Sequence, residues 1–166
     1  MRTLNHKIEN CLKEGKKGGS RHKGLKKTIP DENKAKSHIR KAQHNFEAMN
    51  HFYRNGYPDW APIASFYVLY HGLLAILAKY GYESRNQSCT IDLVESFIDQ
   101  GKVKLITKED LKSISDSSED LESSGNILDL RESMQYGLLM SYKLEDFESL
   151  VEKTSKLLDK FREEII

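Results

Sequence analysis

Proline is scarce in this 166-residue chain: Pro30, Pro58 and Pro62 are the only three, so long helices can form almost anywhere else. Cysteine is nearly absent as well. Cys11 and Cys89 stand far apart without a C-x-x-C or C-x-H pattern, which argues against a disulfide framework and for reduced thiols in a cytoplasmic protein. The opening MRTLNHKIENCL has no apolar core, so no signal peptide is expected. No segment alternates apolar and polar residues with period two, so no strand is expected. The P-loop spacing, H-E-x-x-H and paired Glu-x-x-His are all missing, and no metal or cofactor is expected. The most apolar stretch is shorter than the ~20 uninterrupted residues that a bilayer requires. It also carries His71 and Lys79, so a membrane span is set aside.

That stretch, DWAPIASFYVLYHGLLAILAKY, is the feature around which the rest is arranged. Ile63, Phe66, Tyr67, Tyr70, Leu73, Leu74 and Leu77 recur at spacings of three and four, with Val68, Leu69 and Ile76 on the other sides. A helix apolar on most of its circumference is one that neighbours bury on several faces. Before it, Ile39, Ala42, Phe46, Met49 and Tyr53 form a bundle seam that starts after Pro30-Asp31-Glu32 and stops at Asn55-Gly56. Residues 31–56 and 59–80 therefore make an antiparallel helical hairpin, Asp59 capping the second helix. Further helices are expected from Thr90 to about Gln100, from a Thr107 cap, from Ile127 to Tyr136 and from Leu144 to Ile165. The Ser- and acid-rich SISDSSEDLESSGN reads as a loosely packed helix or a mobile loop. The fold class is all-α: an up-down helical bundle of four to five main helices over residues 31–166.

Near-neutral net charge conceals an asymmetry. Residues 1–30 hold nine Lys/Arg against two Glu, a net +7, whereas residues 91–166 carry −8. Beyond a short helix from Thr3 to Leu12, the run EGKKGGSRHKGLKKTIPDE offers little apolar surface to offset ordering, and reads as a loop or a disordered linker. A basic, partly flexible arm on an acidic body suits an anionic partner or an intramolecular clamp, with Lys23, Lys26 and Lys27 as phosphate-contact candidates.

Two side chains invite chemistry. His71 lies within the apolar central helix, where a histidine ordinarily hydrogen-bonds a neighbour; any other role needs a second group. Arg131 in ILDLRESMQYG is flanked by Leu128, Leu130 and Met134. A guanidinium drawn against a bundle needs an anion, either a carboxylate such as Asp129 or Glu132 or a phosphate ligand. His44, Glu47 and His51 share a helix face at metal-ligand spacing, but that face points away from the seam and reads as solvated surface.

Over roughly 31–165 the pattern resembles the HEPN domain (higher eukaryotes and prokaryotes nucleotide-binding). KAQHNFEAM falls on the first bundle helix, YPDWAPIASFYVLYHGLLAILAKYGYES on the second, SCTIDLVESFI on a short third, and LRESMQYG where that family has its Arg-centred motif. The resemblance implies a cytoplasmic helical bundle that forms a homodimer and brings two Arg-motif helices together. Many such domains are metal-independent ribonucleases using Arg-x(4–6)-His, often in toxin–antitoxin or defence systems, and some pair with a nucleotidyltransferase. In that chemistry histidine moves the proton of the 2′-hydroxyl while arginine neutralises charge on the phosphoryl oxygens.

Here no histidine follows Arg131, and Tyr136 takes its spacing. A phenol with a reference pKa of ~10 is a poor base at neutral pH, although it can hydrogen-bond a phosphate. The expected function is a nucleotide- or RNA-binding, or nucleotidyltransferase-partner, module with Arg131, Glu132 and Tyr136 at the ligand. The alternatives are a divergent metal-independent ribonuclease using Arg131 with His71 or Tyr136, and a non-catalytic structural adaptor.

Overall fold

The computed structural model describes residues 2–115 and 126–166. Among these are seven α-helices, of which the apolar third is central. α1 is Leu4–Lys17, β1 Leu25–Lys27, α2 Glu32–Arg54, α3 Trp60–Lys79, β2 Tyr82–Ser84, α4 Gln87–Asp99, α5 Lys108–Ile114, α6 Ile127–Tyr136 and α7 Leu144–Ile165. The all-α reading holds, apart from one small antiparallel pairing of β1 with β2. The Ser- and acid-rich stretch lies mostly outside the described residues.

α3 touches α2, α4, α6 and α7, which is why it is apolar nearly all round. It is long and apolar enough to cross a membrane, but 78% of its most apolar window is buried by the other helices. The α2–α3 hairpin turns through Gly56, whose φ of 87° lies in the left-handed region that favours glycine. Asp59 corrects the expected cap: its backbone is already helical and its side chain makes no capping hydrogen bond. α4 likewise starts earlier than expected, capped by Asn86, whose side chain accepts from the Cys89 N–H at 3.0 Å. Thr107 caps α5 as expected, within a reciprocal capping box with Asp110.

Gly72 lets α7 approach α3. A Cβ at that position would lie 2.3 Å from the Phe161 ring, which is fully buried. Gly72→Ala should therefore cost about 2–3 kcal/mol through overpacking, although alanine is the better helix former. Chemical denaturation measures this; a variant as stable as the parent would show that α7 has room to shift.

The N-terminal region departs most from expectation. α1 runs to Lys17, five residues beyond Leu12, and the segment read as a loop or linker continues through a 3₁₀ turn into β1. Leu25 is fully buried, and Gly15 passes so close to the Leu25 carbonyl that a Cβ there would clash with it. The isolated sequence could not show this order, because the partner strand Tyr82–Ser84 arrives only after the hairpin. The reduced-thiol expectation is also corrected. Cys11 on α1 and Cys89 on α4 form a disulfide across 78 residues of sequence, with both side chains buried.

Candidate functional site

α6 starts at Asn126, whose side chain accepts from the Asp129 N–H at 2.8 Å. The Asn126 amide donates in turn to the Asp129 carboxylate at 2.9 Å, so that acid is engaged at the helix start. One turn later Arg131 points inward and is only 6% exposed. Its Cζ sits 4.8 Å from the centroid of the Phe66 ring on α3, within cation–π range. Nη1 donates to the Gln135 side-chain oxygen at 3.0 Å, and Nη2 reaches the half-exposed Glu132 carboxylate at a long 3.4 Å. Nε is buried with no acceptor among the described residues. A guanidinium has five N–H donors, so one amide and one distant carboxylate leave it under-used. Leaving a buried donor unpaired costs about 1–3 kcal/mol.

Of the expected site residues, Arg131 and Glu132 come together. Tyr136 does not: it follows Arg131 by five residues, about 140° round the helix, and is 75% exposed at the helix end. Gln135 takes its place beside the guanidinium, one helical turn on. Spacing alone signals that residue, since i and i+4 share a face. Phe66 was legible only as core.

His71 lies elsewhere. Its Nδ1 is 3.0 Å from Nδ1 of His38 on α2, one nitrogen donating to the other. His38 falls three residues after Ala35 and four before Ala42, both buried on α2, but spacing on one helix does not show that His71 faces it. Burial, then the neighbouring His71 ring and Lys34, push His38 down to about 4. Burial and Lys41 lower His71 as well. In the unfolded chain both rings return to ~6.5, so between about pH 6.5 and 4 the unfolded state takes up protons that the folded state refuses. Stability is complete above this window and is lost as pH falls through it. Thermal melts should show the melting temperature falling between about pH 7 and 5, with His38→Asn removing much of that slope. Equal slopes in the two proteins would contradict the assignment.

In the N-terminal region His22 and Lys26 have partners within the fold. His22 Nδ1 accepts from the Gly24 N–H at 3.3 Å, so its Nε2 carries the proton and donates to Glu83 at 3.1 Å. That hydrogen bond, with Lys34 nearby, holds Glu83 below the usual carboxylate range. Lys23 and Lys27 are exposed, while Lys26 donates to the Gly19 carbonyl. None of the three lies among the groups around Arg131. His44, Glu47 and His51 are exposed on α2, and no cluster of three or more His, Cys, Asp or Glu with metal-binding geometry occurs among the described residues.

No curated protein matches the chain. The sequence model of the HEPN domain matches residues 35–165, most of the chain. The all-helical architecture agrees with that match, and the chain belongs to the HEPN domain family, whose members are generally nucleotide-binding or ribonuclease-like modules.

Proposed function

We propose that this chain is a HEPN module that binds RNA or a nucleotide through Arg131 without cleaving it. It would act as a homodimer beside a nucleotidyltransferase-like partner in a toxin–antitoxin or defence-like system. The observation that carries the reading is the buried guanidinium of Arg131, whose Nε has no acceptor among the described residues and whose contact with the Glu132 carboxylate is long. A phosphoryl group offers several acceptor oxygens to such a fork. Glu132, mostly in solvent, can swing away as an anion arrives. The missing catalytic histidine supports binding without cleavage, because His71 is engaged with His38.

The dimer is supported by the segment that follows α6. Tyr136, Leu138, Leu139, Met140 and Leu144 are all exposed, Leu138 at 96%. An apolar patch of this kind favours association. Light scattering should give twice the 19.2 kDa chain mass, and Leu138→Asp with Met140→Asp should weaken the dimer by about 10–100-fold. In the same preparation, single-stranded RNA incubated in EDTA should bind and stay intact. Fragments ending in 2′,3′-cyclic phosphate would overturn the non-cleaving reading; a wild-type monomer at high concentration would overturn the dimer.

A further inference from the structure

Between the first half of α2, the second half of α3 and β2 lies a cavity of about 260 Å³ lined by none of the residues around Arg131. Its polar rim is Lys34, His38, Ser84 and Arg85, and its floor is Leu74, Ala78 and Tyr82. Glu83 organises the rim. His22 anchors its carboxylate from the buried side, while Lys34 approaches it at 3.5 Å and Arg85 at 3.9 Å. One carboxylate faces two cations. The cavity is therefore net positive, with the His38 imidazole on one wall.

The sign of that field selects the ligand. A divalent cation beside His38 would be repelled by Lys34 and Arg85, whereas an anion gains from both. The Arg85 guanidinium and the Lys34 ammonium supply the charged donors that a phosphoryl group requires, with His38 and Ser84 beside them. A bare phosphate would fill only part of the space and leave the Leu74, Ala78 and Tyr82 floor against water. We propose that this cavity binds a phosphomonoester, its phosphate between Lys34 and Arg85 and its flat organic part against Tyr82, Leu74 and Ala78. The site is separate from the Arg131 reading and stands without it.

Calorimetric titration with AMP, adenosine and inorganic phosphate, of the whole chain and of its Arg131→Met variant, in which the proposed RNA-binding group is gone, tests the assignment. AMP should bind both proteins. Inorganic phosphate should bind more weakly, and adenosine not at all. Lys34 and Arg85 are about half exposed, so Lys34→Ala with Arg85→Ala should leave the fold intact and weaken binding by about 20-fold or more. In the Arg131→Met background the same double substitution should cost AMP affinity the same factor, which separates this site from the proposed RNA-binding one. In the unaltered protein, saturating AMP should shift the NMR resonances of the His38 ring. Adenosine binding as tightly as AMP, affinity indifferent to the double substitution, or an unperturbed His38 ring would each overturn the proposal.

Discussion

Cys11→Ala combined with Cys89→Ala lowers the melting temperature by roughly 10–15 °C, and so does reduction of the parent protein by a dithiol. Opening a cross-link that spans 78 residues returns about 4.5 kcal/mol of chain entropy to the unfolded state. For a chain of this size each kcal/mol moves the midpoint by about 2–4 °C. The bond joins the N-terminal helix to α4, so the loss should begin there. Amides of α1 and β1 should exchange with solvent well before those of α3. The β1–β2 pairing, the buried Leu25 and the His22–Glu83 hydrogen bond still favour docking without the cross-link. The reduced protein should therefore fold, with a less stable N-terminal region. A midpoint unchanged by reduction would mean that these contacts alone hold α1 in place. Such a bond persists in oxidising surroundings and is opened by thiol reductants in reducing ones.

The second large effect is expected at Arg131, where stability and binding should move apart. Methionine nearly matches the stem of arginine in length, keeps contact with Phe66 and removes a buried charge whose Nε has no partner among the described residues. Exchanging a buried, poorly paired ion for an apolar side chain is commonly neutral or stabilising. Arg131→Met should thus leave stability unchanged or raise it by about 1 kcal/mol. RNA affinity should fall by about 10–100-fold, the worth of charge-assisted hydrogen bonds to phosphate. An adaptor in which Arg131 only closes an internal ion pair predicts the reverse: lost stability and unchanged binding. Urea denaturation beside fluorescence anisotropy separates the two.

Much of the bundle was legible in the sequence because its signals are local. The α2 seam at Ile39, Ala42 and Met49, the apolar circumference of α3 and the stripe of α7 through Phe147, Leu150, Leu157, Leu158 and Phe161 are all buried as their spacing requires. The bounds of α6 and α7 agree with those expected. What escaped the sequence depends on groups distant along the chain. Leu25 reads as one leucine in a basic run until β2 offers a strand edge. Cys11 and Cys89 read as unrelated thiols until α1 lies on α4. His38 was passed over because its partner is on another helix. Within the candidate site the inward position of Arg131 followed from its apolar neighbours, whereas Tyr136 was placed by motif spacing instead of helical angle. Gln135 holds the position beside the guanidinium.

The claim on which the functional account rests is that a cation is kept inside this bundle to meet phosphate. Titrating a fluorescent single-stranded RNA with wild type and Arg131→Met at one fixed salt concentration tests it most directly. The account predicts affinity at least about 10-fold weaker for the variant, with both proteins equally folded by circular dichroism. Superimposable binding curves would contradict it.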